Sequence, residues 1–181
     1  QEVQRMVFWS SVLSGSCGHT YGANGIWQVN TPRKPYGASP HGMAWGNTPW
    51  TEAAQLPGSR QVGLAKRLLE RYPWWRFEPH PEWVDPHWSK DNFFGPYAAG
   101  IPGEVRIVYF PNYPWHQVAI KNIEPNARYR AFLFDPATGT RYRMAVNVNG
   151  AHEWIVQEKP GTPLHLSFPL FQDWVLVMER K

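Results

Sequence analysis

Three side chains able to grip a polar ring lie close together in Gly18-His19-Thr20-Tyr21-Gly22-Ala23-Asn24-Gly25-Ile26-Trp27: His19, Tyr21 and Trp27. An imidazole and a phenol donate and accept hydrogen bonds. An indole offers a flat apolar face that suits the C–H face of a sugar ring as well as it suits a protein core. If residues 16–21 form a short strand, alternation puts Cys17, His19 and Tyr21 on one side and Gly18 and Thr20 on the other. Gly22 and Gly25 then let the backbone turn sharply before Trp27. A strand ending in such groups ahead of a long loop has the form of a sugar-binding wall at the mouth of an α/β barrel. A buried strand whose polar atoms are satisfied internally is the alternative, and spacing alone does not choose between them.

The elements that must position this stretch come on either side of it. Residues 2–13 place Val3, Met6, Val7, Trp9, Val12 and Leu13 at helical spacing, with Gln4, Arg5, Ser10 and Ser11 in the remaining positions and Ser14-Gly15 as a C-cap. Helix, glycine, strand is an αβ unit, half of a βαβ repeat. The chain opens inside this helical pattern without a signal peptide, as a fragment or processed product would. Residues 22–50 form a long loop with Trp27, Trp45 and Trp50 among its prolines and glycines. Such a loop is either functional or disordered, and its aromatic content argues against disorder. Each tryptophan either lines a cleft or packs beneath the loop. Thr48-Pro49 predicts the start of a short helix through about Gln55, ended or kinked by Pro57-Gly58. A longer helix over residues 59–71 follows, with Val62, Leu64, Ala65, Leu68 and Leu69 apolar and Arg60, Lys66, Arg67 and Glu70 facing solvent.

From about residue 91 the period changes to two. Strands are predicted over residues 92–98, 104–110, 117–123, 128–134, 141–148, 164–168 and 173–179, with Asp135-Pro136-Ala137-Thr138-Gly139 as a hairpin turn. Short strands at regular spacing indicate an antiparallel β-sandwich. The expected fold class is therefore α/β followed by all-β: residues 1–77, a proline- and tryptophan-bearing connector over 78–90, and a β-sandwich over 91–181.

Composition narrows the function. The 181 residues include 11 Trp, 18 Pro and 15 Gly but only 18% charged residues, which favours a loop-rich globular protein over a disordered one. The net charge of +4 is spread along the chain, so no basic stripe marks a nucleic-acid partner. Cys17 is the single cysteine, which excludes a disulfide or a cysteine-based metal site within the chain. The seven histidines show no HExxH-like spacing, and no metal or other cofactor is expected. No apolar run approaches the roughly 18 residues of a membrane span.

These pieces resemble a family. Trp9-Ser10-Ser11-Val12-Leu13-Ser14-Gly15, Gly18-His19-Thr20-Tyr21-Gly22 and Gly25-Ile26-Trp27-Gln28, then Trp50-Thr51-Glu52-Ala53-Ala54, Leu56-Pro57-Gly58 and Pro73-Trp74-Trp75, are similar in order to the end of the apiosidase-like glycoside hydrolase barrel. The strand-rich half, ending in Asp173-Trp174-Val175-Leu176-Val177, is similar to the domain that follows this barrel and is often labelled collagen-binding. The resemblance implies that residues 1–15 are the seventh barrel helix, residues 16–21 the eighth strand, residues 22–50 the loop after it and residues 51–72 the last helical segment. It implies a secreted or periplasmic enzyme acting on carbohydrate.

Glycoside hydrolysis uses two carboxylates. In barrels of this kind they end strands four and seven, which would lie upstream of Gln1. No acidic residue occurs between Gln4 and Thr51. No catalytic residue is therefore assigned in this chain. The substrate-binding residues implied are His19, Tyr21, Asn24, Trp27 and Trp45, with His19 also placed to hold the nucleophile ionised. One strand and a few helices cannot close a barrel, so an N-terminal barrel polypeptide or clipped segment is expected to complete it and to cover Val3, Met6, Trp9, Val62 and Leu69. The alternatives are a non-catalytic carbohydrate- or matrix-binding module and a purely structural accessory β-domain.

Overall fold

The computed structural model describes residues 1–35, 46–111, 118–125, 127–142, 155–156, 164–165, 168 and 170–181. Among them are helices α1 (Glu2–Leu13), α2 (Trp50–Ala53) and α3 (Pro57–Leu69). The strands are β1 (Glu78–Pro79), β2 (Val84–Asp85), β3 (Tyr97–Ile101), β4 (Val105–Phe110), β5 (Ala119–Ile120), β6 (Tyr129–Phe134), β7 (Arg141–Tyr142), β8 (Ile155–Val156), β9 (Leu164–His165) and β10 (Trp174–Arg180). The larger sheet runs β1-β3-β4-β10-β6-β7, with β8 also paired to β6; a smaller sheet runs β2-β5-β9. All pairings are antiparallel.

The large sheet is buried on both faces, which is why its central strands lack the apolar–polar alternation of a half-exposed sheet. Odd residues of β4 and β10 (Val105, Ile107, Tyr109, Val175, Val177) join Tyr97, Ala99, Phe132 and Phe134 against α1 and α3. Even residues (Val108, Phe110, Trp174, Leu176, Met178) join Tyr129, Ala131 and Leu133 against Val84 and Ile120 of the small sheet. Along β6, Tyr129, Ala131 and Leu133 lie on one face and Phe132 and Phe134 on the other. The expected hairpin forms: Asp135 Oδ1 accepts from the Ala137 amide at 2.7 Å, Gly139 takes φ +83°, and β6 pairs with β7. Gly139 also lies against α3, where a Cβ would meet Leu64 Cδ2 at 2.6 Å.

Several expectations need correction. The strand predicted over residues 92–98 begins at Tyr97, because Ser89 and Asn92 pair in a tight turn and Gly95 packs on the backbone of His87 and Trp88. Strands predicted over residues 117–123, 141–148 and 164–168 are seen as the short β5, β7 and β9, the remainder of the last two lying largely outside the described residues. Pro57 does not break a helix; it is the first residue of α3, where a missing amide hydrogen costs nothing. Residues 16–21 form no strand ladder, since no described strand lies beside them to share their backbone hydrogen bonds. Instead they run back along α1, from His19 beside Phe8 to Gly22, whose carbonyl accepts from Gln4 Nε2 at 2.8 Å.

Helix α1 spans its predicted length and ends in a Schellman cap. The Ser16 amide donates to Ser11, the Gly15 amide donates to Val12, and Gly15 takes φ +94°. Its buried face differs from expectation. Arg5, Phe8, Trp9, Val12 and Leu13 face the sheet, while Val3 and Val7 are exposed. Trp9 and Leu69, expected to await a second polypeptide, are covered within this chain by the sheet. Trp9 stacks on Tyr109 and meets Phe8 edge to face.

Arg5 is the polar centre of this interface. Its Nε and Nη2 donate to both oxygens of Asp173 at 2.8 Å, and its Nη1 donates to Gln61 Oε1 of α3 at 2.9 Å. Tyr109 Oη adds a bond to Asp173 Oδ2 at 3.1 Å. The fork matches a carboxylate with two parallel bonds and leaves no charge unpaired. On the other face, buried Arg106 lies 4.1 Å over the Trp83 ring, pairs with Glu124 at 2.9 Å and donates to the carbonyls of Lys121 and Asn122. The two tryptophans of the connector, Trp83 and Trp88, serve opposite faces. Trp83 fills the inter-sheet core, and Trp88 stacks on Tyr97 on the helix side.

Candidate functional site

The loop leaving residues 16–21 is tied into a compact turn. The amides of Ile26, Val29 and Asn30 donate to the carbonyls of Ala23, Ile26 and Gly25, and the Gly25 amide donates to Gln28 Oε1 at 2.9 Å. Gly25 sits at φ +97° against the Thr48 carbonyl, too close for any side chain there. The Asn30 carbonyl accepts from the Trp50 amide at 2.9 Å, so the turn is fastened to the start of α2. Gly22 provides the other close approach. The Trp27 indole lies across it, and a Cβ at residue 22 would overlap Nε1. Trp27 therefore has a defined seat although 74% of its surface is exposed. Asn24 is exposed on the same turn.

His19 and Tyr21 share a side, as alternation predicts, but that side faces the helices. Tyr21 Oη donates to the Ala53 carbonyl at 3.2 Å, and its ring packs over Gly58 at the start of α3. Burial pushes the phenol pKa up, although a backbone hydrogen bond at Ser59 opposes the shift. His19 meets Phe8 edge to face at 5.3 Å and borders a cleft of about 200 Å³ with Val12, Val62, Leu69 and Trp74. Its Nε2 is buried without a hydrogen-bond partner among the described residues, and desolvation lowers its pKa. Neutral imidazole is the form this cleft favours. The structure brings Trp27, Asn24 and half-exposed Trp50 onto the outer surface and His19 and Tyr21 into the wall behind it. Trp45 lies outside the described residues.

Two site residues escaped sequence reasoning. Gln4 anchors the Gly22 carbonyl, and Gln28 braces Gly25. Gln4 was read as filling a helix position and Gln28 only as part of a motif; only a partner close in space distinguishes a bracing glutamine from a solvated one. No group of three or more His, Cys, Asp or Glu side chains suited to a metal occurs among the described residues. Residues 3–51 hold no carboxylate; Glu70, just after α3, borders the cleft beside His19. No helix among the described residues is long and apolar enough to cross a membrane.

Comparison with known proteins adds the family. Residues 1–76 match the model described as "Apiosidase-like, catalytic domain". No curated protein sequence matches. Among solved structures, the chain is similar to one described as a glycoside hydrolase, at 20% identity and a TM-score of 0.71, over 98% of this chain and 36% of that one. It is also similar to a glycoside hydrolase family 5 structure from Bacteroides vulgatus ATCC 8482, at 20% identity and a TM-score of 0.73, over 98% of this chain and 35% of that one. The chain therefore spans about a third of the length of each. The resemblance carried by the Gly18–Gly22 and Gly25–Gln28 motifs is borne out: residues 1–76 match the apiosidase-like catalytic-domain model, and the chain shares its fold with part of structures described as glycoside hydrolases.

Proposed function

We propose that this chain is the C-terminal portion of a glycoside hydrolase. It supplies the last unit of a (β/α)8 barrel, the sugar-binding loop after it and an accessory β-sandwich, with residues 1–77 and 91–181 divided by the connector at 78–90. The observation that carries the reading is Trp27, seated on Gly22 yet 74% exposed, within the stretch that matches the catalytic-domain family.

The surroundings suit a barrel. Helices α1 and α3 run side by side in one direction, Gln4 beside Gly58, Arg5 bonded to Gln61, and Phe8 and Val62 in one cleft. Residues 18–22 run back along them, as a barrel strand runs between its helices. The Trp27 turn emerges at the N-terminal ends of both helices, the end at which barrel enzymes build their active sites. A whole barrel takes about 250 residues, and the chain spans about a third of the structures it resembles. An N-terminal barrel segment would complete the fold, supply the acid and the nucleophile or base, and cover Val3 and Val7. Trp27 stacks on a sugar ring, Asn24 and Trp45 are further substrate contacts, and His19 and Tyr21 hold the loop from behind. The protein acts outside the cytoplasm, on carbohydrate.

Replacing Trp27 by Ala in the assembled enzyme tests this. Loss of a stacked ring worth about 0.5–1.5 kcal/mol beyond its area should raise KM for an oligosaccharide by roughly 2- to 12-fold. Unchanged kcat and KM would refute the role of Trp27. Binding of polysaccharide by the assembled protein without hydrolysis would replace the enzyme by a carbohydrate-binding module.

A further inference from the structure

Asp173 belongs to the strand-rich half, yet the bonds that begin at it lead to the Trp27 seat. Its two oxygens hold the Arg5 fork at 2.8 Å, and Tyr109 Oη fixes one of them. Arg5 in turn holds Gln61 at 2.9 Å. Both members of the ion pair are buried, at 7% and 6% side-chain exposure, so the bonds are neither screened nor loosened by water. Three directional bonds on one side chain set both the rotation and the axial height of the first turn of α1. The neighbouring side chain, Gln4, hands that position on by donating to the Gly22 carbonyl at 2.8 Å. Gly22 is the residue on which the Trp27 indole rests. The Gln61 branch acts in parallel: one turn earlier on α3, Gly58 packs against Gln4 and the Tyr21 ring.

We propose that Asp173 is a positioning residue for Trp27, acting through Arg5, Gln4 and Gly22, so that the strand-rich half sets the height of the ligand-contacting loop. Apolar packing alone would hold α1 on the sheet, but it is non-directional and would allow the helix to slide or roll. The ion pair removes that freedom. The functional consequence rests on the reading of Trp27 as a sugar contact; the positional claim does not.

The test uses the assembled protein labelled with 5-fluorotryptophan, the Trp27 19F resonance being assigned by its loss in Trp27→Phe. Asp173→Asn should shift or broaden that resonance. The apolar pair Arg5→Met/Asp173→Leu should recover most of the thermal stability lost by the single variant, because it leaves no unpaired buried charge. It should nonetheless keep the Trp27 resonance displaced. A Trp27 resonance at its native position in the apolar pair overturns the proposal, and so does an unmoved resonance in a folded Asp173→Asn. If Asp173→Asn fails to fold, the apolar pair decides alone. The readout needs no sugar. A displaced resonance combined with unaltered oligosaccharide binding in Trp27→Ala would therefore leave the positioning intact and remove the ligand role.

Discussion

Trp9 measures whether the helices and the large sheet form one cooperative body. It is fully buried, stacks 6.0 Å from Tyr109 on β4 and meets Phe8 at 5.3 Å, in the cluster that joins α1, α3 and four strands. Trp9→Ala removes about 150–250 Å² of buried aromatic surface, or about 4–6 kcal/mol at 25 cal/mol per Å². Relaxation of the site offsets part of that, and truncations of this kind cost about 3–5 kcal/mol. For a chain of this size each kcal/mol moves Tm by about 2–4 °C, giving a fall of roughly 6–20 °C. Thermal unfolding followed both by far-UV circular dichroism at the helix signal and by near-UV aromatic signals should show the two transitions falling together. Trp75→Ala, at a residue 72% exposed, should change stability by less than about 0.5 kcal/mol. A Trp9→Ala shift no larger than that of Trp75→Ala, or a loss of helix signal that leaves the aromatic transition in place, would refute the coupling.

Two further outcomes follow from the turn and from charge. Gly139→Ala should destabilise by about 1–3 kcal/mol, because a non-glycine residue is strained at φ +83° and its Cβ would press on Leu64; urea unfolding with an unchanged m-value is the check. Glu124 is held below its ordinary pKa of 4.5, since burial raises it but bonds from Tyr129 and Arg106 outweigh burial. Its folded pKa being lower than its unfolded one, its contribution is complete above about pH 4.5 and is lost as pH falls through the folded value. Tm should therefore fall less steeply between about pH 5 and 3 in Glu124→Gln than in the wild type, and equal slopes would contradict the assignment.

What could be seen in the sequence was local. The Asp135–Gly139 turn and the length of α1 follow from near neighbours and came out as expected. The orientation of α1 did not, because it carries apolar residues on two sides, Val3 and Val7 on one and Phe8, Trp9 and Leu13 on the other. Periodicity cannot say which side meets a sheet whose first strand begins only at Glu78. Arg5 looked like a solvent residue because its partner is 168 positions away. Residues 16–21 had the composition of a strand, but a strand also needs a neighbour to share its hydrogen bonds. His19 and Tyr21 were correctly placed on one side, and only the helices packed there decide that this side is a wall. Trp27 stood out by its glycine-flanked loop, while the need for Gly22 beneath it emerges only when the indole is seen folded back.

The place of β10 in the large sheet bears on how the polypeptide is made. It lies between β4 and β6, pairing with both, yet it is translated after either. Until residues 174–180 leave the ribosome, the nascent sheet has a gap at its centre with two bare strand edges and two unfilled apolar layers. Messages or protease cuts that remove this strand should yield no smaller folded product, only chains with open edges prone to join one another.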